Sequence, residues 1–138
     1  MVGMIPDKIK ALVPIFAAVP AIQAVYLFGS HATGTATERS DIDLGIILEK
    51  GQIEGRTKLE LLTELARAGC DKIDLALVDE GDLVLAHEVV KHHKLLFHRE
   101  GFDHATYCSK ITRQYLDFQP TLKLQAQALK NRLHSKES

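Results

Sequence analysis

Cysteine is scarce in this chain of 138 residues: Cys70 and Cys108 are the only two, far apart and outside any CxxC pattern. That scarcity argues against a disulfide framework and against a zinc knuckle. A surplus of one charge is lacking too, because 17 basic residues stand against 18 acidic ones and no long like-charge block occurs. Free-standing affinity for RNA or DNA phosphates is therefore not expected. No apolar run approaches membrane-spanning length, and the opening MVGMIPDKIK carries charges and a proline where a signal peptide needs an apolar core. These absences favour a soluble, cytoplasmic protein. Internal repeats and low-complexity segments are missing as well, and the length suits one ordinary core.

What is there is an alternation of helical and extended patterns. Ile9, Leu12, Val13 and Phe16 recur at helical spacing behind a capping Asp7, and Pro14 should kink or divide that helix. AIQAVYLFG is short, apolar and closed by glycine, which favours a buried strand. A loop of small residues follows, and then DIDLGIILE reads as a second strand. Thr57 to Ala68 has helical spacing with Gly69 as its stop, and KIDLALVD reads as a third strand. Asp82 caps a helix over LVLAHEVV, and KLLFHRE makes a short final strand. From Phe102 onward the pattern is helical, with an interruption expected at Pro120. This order implies an α/β (α+β) fold, a mixed sheet of about four strands flanked by helices. Residues 1–101 then form the core and residues 102–138 a C-terminal helical extension of the same domain.

Chemistry gathers at YLFGSHATGTATERSDIDLGIIL, residues 26–48. Side chains two apart on a strand share a face, so Asp41 and Asp43 point one way while Ile42 and Leu44 point the other. At a rise of roughly 3.3 Å per residue, their α-carbons lie about 7 Å apart, close enough for both carboxylates to lean onto one or two small cations. Hard oxygen donors of this kind suit Mg²⁺ or Mn²⁺. Asp74, alone in the apolar run KIDLALVD, joins them if the two strands are neighbours. It comes from a separate strand, so it is available as a base toward an incoming hydroxyl. Gly29-Ser30 supplies the complement: glycine permits close backbone approach, and serine opens a turn where N–H groups gather to bind phosphate. Gly34 keeps the loop compact, and Arg39 reaches either a phosphate or an aspartate. Each residue alone is more often an ordinary turn, cap or edge residue; the joint spacing carries the functional expectation.

Gly29-Ser30, ten intervening positions, Asp41-Ile42-Asp43 and the lone acid in Lys72-Ile73-Asp74-Leu75 together resemble the signature of the DNA polymerase β-type nucleotidyltransferases. With RSDIDL at Arg39 to Leu44, the chain is similar to the minimal nucleotidyltransferases, the MNT proteins, over about residues 20–100. The resemblance implies the nucleotidyltransferase fold and transfer of a nucleoside monophosphate, usually from ATP, with Mg²⁺ as cofactor and two ions expected. It implies Gly29, Ser30, Arg39 and Ser40 on the nucleotide, Asp41, Asp43 and Asp74 on metal, and Asp74 as candidate base. Many relatives have arginine just before the loop glycine, where this chain has Thr33 before Gly34, so Arg39 or Arg56 would have to supply that contact. The resemblance further implies a partner, a HEPN ribonuclease toxin, which antitoxin members AMPylate on tyrosine. The near-neutral charge agrees with a protein acceptor. Two alternatives stay open: neutralisation by docking alone with an idle site, and nucleotidyl transfer to a small molecule or RNA end.

Other constellations weigh less. His87-Glu88 followed by His92 comes close to HExxH, but the second histidine falls one residue late, and five steps of about 100° separate the rings. His31 adjoins the proposed cradle, yet a lone histidine is more often a surface residue. Tyr107, Ile111 and Tyr115 share a helical face and read as core. Leu122, Ala126, Leu129 and Leu133 form a stripe that either covers core or faces a partner.

Overall fold

The computed structural model describes residues 7–36, 41–48, 55–69, 72–78 and 82–137. Pro14 divides the opening helix as its chemistry requires. α1 spans Asp7–Lys10 and α2 spans Val13–Ala17, with the proline in the first turn of α2, where its missing N–H is harmless. The strands follow as β1 (Ile22–Phe28), β2 (Ile42–Leu48), β3 (Ile73–Val78) and β4 (Leu95–His98), in sheet order β3-β2-β1-β4. β1 lies antiparallel to β2 and β4, while β2 and β3 run parallel, so the sheet is mixed. A parallel pair needs a crossover, and the 13-residue helix α4 (Gly55–Arg67) provides it.

Both faces of the sheet are covered, which is why its strands read as nearly continuous apolar runs. Ile22, Val25, Leu27, Leu44, Ile46 and Leu75 pack with α1, α2 and α4 on one side. Ala24, Tyr26, Ile47 and Val78 pack on the other side with α5 (Leu83–Val90) and the root of the final helix. Asp82 caps α5 by accepting the Leu85 N–H at 3.1 Å. At Gly45, in mid-β2, an added Cβ would overlap the Cγ1 of Val89, so the bare backbone lets α5 settle low on the sheet.

Two expectations need correction. A four-residue helix, Ser30–Thr33, stands in the small-residue stretch that reads as loop; with it counted as α3, the remaining labels hold in chain order. The last helix, α6, runs from His104 to Glu137 straight through Pro120. That proline withdraws the N–H that would serve the Leu116 carbonyl, and Leu116 is exposed, so water can take the orphan acceptor. Of the C-terminal stripe, Leu122 is half-buried and Ala126 exposed, while Leu129 and Leu133 are 52% and 55% exposed. Ile111 is buried and Tyr107 partly so, as their spacing predicts. Among the described residues, no helix is long and apolar enough to cross a membrane.

Substituting Gly45 by Ala should destabilise the fold by about 1–3 kcal/mol in urea unfolding, because the new methyl meets a packed helix. Combined with Val89→Ala, the loss should be less than the sum of the two single losses. Strict additivity would show that the close approach of β2 and α5 is not what Gly45 serves.

Candidate active site

The site is built on strand register. Alternation along β2 buries Ile42 and Leu44 on the α4 face and turns Asp43 to the α5 face. β3 alternates the same way, with Ile73 and Leu75 toward α4 and Asp74 opposite. Asp43 and Asp74 are direct register partners across the parallel pair. Asp41 immediately precedes β2, two residues from Asp43 and therefore on the same side. Asp43 and Asp74 thus meet at one corner of the sheet and Asp41 stands near enough for its charge to reach Asp43, while the carboxylate oxygens of the three do not all come within 4.8 Å of one another. Asp41 and Asp74 are exposed, while Asp43 is partly buried.

Electrostatics record the convergence. The Asp43 carboxyl is lifted above its ordinary 3.8, first by burial and then by the charges of Asp74 and Asp41, with His31 opposing the rise. His31 therefore stands close enough to be felt, although its own role is not assigned by this effect.

Gly29 closes β1 beside Asp43, because Phe28 is the register partner of that aspartate. Its φ of 72° and ψ of −153° lie where only glycine is comfortable, and an added Cβ would overlap the Asp43 Oδ2. Glycine is thus required twice over, by backbone and by space. Ser30 starts α3, whose turn is held by the Ala32 and Thr33 N–H groups donating to the Gly29 carbonyl at 3.1 and 3.2 Å. Gly34 ends the helix in the left-handed conformation, φ 80°. The exposed Thr33 hydroxyl donates to the Ser30 carbonyl at 3.2 Å and pairs with the Thr35 hydroxyl at 2.8 Å. Arg39 and Ser40 lie outside the described residues, as does the side chain of Arg56.

The HExxH-like stretch does not form a cluster. His87 stacks on Tyr115, ring centroids 3.8 Å apart, and burial lowers its pKa. Periodicity gave no sign of α3, since four residues are too few to show a period; Gly29 and Gly34 as brackets were its available signal.

Comparison with known proteins places this geometry. The profile of the family described as polymerase beta, nucleotidyltransferase matches residues 10–101. Protein adenylyltransferase MntA of Shewanella oneidensis is 34% identical over 79 residues, 57% of this chain and 56% of that protein. The chain spans about half the length of the curated relatives it matches. A crystal structure of a toxin–antitoxin pair with AMP-PNP contains a similar chain: TM-score 0.70, 27% identity, covering 89% of this chain and 96% of that one. A structure of the tri-AMPylated Shewanella oneidensis HEPN toxin with its MNT antitoxin shares the fold at TM-score 0.69 and 22% identity, covering 89% and 96% of the two chains.

Because folding raises the Asp43 pKa, the folded chain holds more protons than the unfolded one between 3.8 and the raised value. Stability should therefore fall as pH climbs through that window and stay lower above it. In chelator at neutral pH, Asp43→Asn should give a higher urea midpoint than the parent and a flatter pH dependence. A lower midpoint would mean that repulsion among these acids does not reach the stability of the fold.

Proposed function

The chain belongs to the polymerase β nucleotidyltransferase family, and from that premise we propose that it transfers AMP from ATP to a hydroxyl, a tyrosine's, on a partner HEPN ribonuclease toxin in the cytoplasm. It would thereby serve as the antitoxin of the pair. The observation that carries the proposal is the pairing of Asp43 with Asp74 on parallel strands, with Asp41 alongside and Gly29 against the Asp43 carboxylate. Similarity to an adenylyltransferase and to a chain of a toxin–antitoxin pair with AMP-PNP supports the nucleotide and the kind of partner.

The donor set fits Mg²⁺: three carboxylates offer hard oxygens, and the repulsion felt at Asp43 is of the kind a divalent cation relieves. Asp41, Asp43 and Asp74 would hold it, two ions in all. When bound, Mg²⁺ supplies charge neutralisation on the triphosphate and a lowered pKa on the acceptor oxygen. The chain's own groups do the rest. Gly29 leaves room for the triphosphate to approach the backbone, and Ser30 offers its hydroxyl and N–H at the first turn of α3. Arg39 and Ser40 add contacts to the nucleotide. As the acceptor oxygen bonds to the α-phosphorus, Asp74 takes the hydroxyl proton. The bond from that phosphorus to the bridging oxygen breaks, and pyrophosphate leaves.

The exposed leucines of α6 beyond Pro120 are assigned to the partner.

Incubated with its helical partner, ATP and Mg²⁺, the chain should add adenylate mass to that partner, read by intact-protein mass spectrometry. Asp41→Asn with Asp43→Asn should slow the transfer by on the order of 10³-fold, since metal stabilisation of the transition state is worth several kcal/mol. An unmodified partner would refute the transferase proposal, and neutralisation retained by the double variant would point to docking alone.

Truncation after Gln119 should leave the free energies of ATP binding and of unfolding within about 0.5 kcal/mol of the parent, as expected for surface residues, while weakening the complex. An unchanged partner affinity in a binding titration would remove α6 from the interface.

A further inference from the structure

A second cluster lies on the α5 face of the sheet, on the β1–β4 side rather than the β2–β3 side. His93, His104 and Cys108 each bring one donor atom to within 4.8 Å of the others, the one such group of three among the described residues. His104 and Cys108 stand a turn apart at the start of α6, with Nδ1 3.4 Å from Sγ. At Zn–S about 2.3 Å and Zn–N about 2.1 Å, two tetrahedral ligands sit about 3.6 Å apart, so this pair already has the needed span. His93 comes from the turn between α5 and β4, where its backbone holds a left-handed φ of 54°. Its ring meets that of His104 edge-on, centroids 5.6 Å apart.

The surroundings are those of a ligand site. Tyr26, fully buried on β1, has its hydroxyl 2.7 Å from the His104 Nδ1 and 3.8 Å from the Cys108 Sγ. Cys108 is buried, His104 partly so and His93 exposed, so the cluster is closed on the sheet side and open on the other. A groove of about 540 Å³ lined by Ser109, Thr112 and Arg113 begins there. Packing alone would account for the Tyr26–His104 hydrogen bond, but not for the third donor, His93, turned to the same point.

We propose that His93, His104 and Cys108 form a site for one divalent transition metal of the zinc class, separate from the carboxylate corner. Thiolate and imidazole donors favour Zn²⁺ over Mg²⁺, as carboxylates do the reverse. On binding, the Cys108 thiol gives its proton to solvent. The Tyr26 hydroxyl passes from Nδ1 to the thiolate sulfur as an outer-shell donor. A water on the groove side completes four-coordination. The metal ties the turn before β4 to the root of α6.

The test uses the full chain carrying Asp41→Asn, Asp43→Asn and Asp74→Asn, so that the carboxylate corner cannot take the ion. Stripped with chelator and titrated with Co²⁺, it should bind one equivalent with a thiolate-to-cobalt charge-transfer band and tetrahedral visible bands, both displaced by Zn²⁺. Cys108→Ser should abolish the charge-transfer band and Cys70→Ser should keep it. His93→Ala, at an exposed turn and with an unchanged circular dichroism spectrum, should weaken Zn²⁺ binding by more than about 100-fold, since even outer-shell partners are worth 10–100-fold. Absence of the charge-transfer band, its survival in Cys108→Ser, or undiminished Zn²⁺ affinity in His93→Ala would overturn the site.

Discussion

Strand register is the constraint on which this molecule turns. Asp43 and Asp74 are partners across a parallel strand pair, and Asp41 adds a third charge from just outside the ladder. Asp41 and Asp74 reach solvent, yet the acids stay on this side of the sheet, because the residues alternating with them are Ile42, Leu44, Ile73 and Leu75, which pack against the α4 face. A slip of one residue would bring the acids to that core and the apolar residues to the corner. Burial on one face thus enforces crowding of charge on the other.

The same corner explains the glycines. Gly29 must be bare because the Asp43 carboxylate occupies the space of its Cβ, and Gly45, two residues further along β2 on that same face, must be bare because Val89 does. Strand β2 therefore changes use along its length: acid at its start, close helix packing at its middle, apolar core at Ile47. Function and folding are separated along one strand by two residues, the smallest step that keeps a side chain on the same face.

Much of this was legible in the sequence, for a physical reason. The period of two in DIDL puts its acids on one face whatever the surrounding detail, and apolar runs between glycine stops mark strands buried on both sides. The convergence of Asp74 followed from one helical crossover joining neighbouring parallel strands. What periodicity could not reveal falls into three kinds. α3 is too short to display a period. Pro120 costs α6 one hydrogen bond, at the exposed Leu116, and the helix runs on past it, which the local rule for proline does not predict. Finally, Cys108 meets His104 by a one-turn spacing visible in the chain, but the third member, His93, comes from another segment, and its distance to the pair depends on how β4 and α6 dock.

Exposure at the carboxylate corner carries the last step. Asp41 and Asp74 are open to solvent, and both sheet faces nearby are already occupied by the chain's own helices. Phosphoryl chemistry benefits from a dry, low-dielectric surrounding, where charge–charge interactions strengthen several-fold over water. Under the proposed function the acceptor protein would bring both the hydroxyl and the cover. Specificity then resides in docking: a free tyrosine or a solvent molecule can reach the acids but cannot exclude water from them.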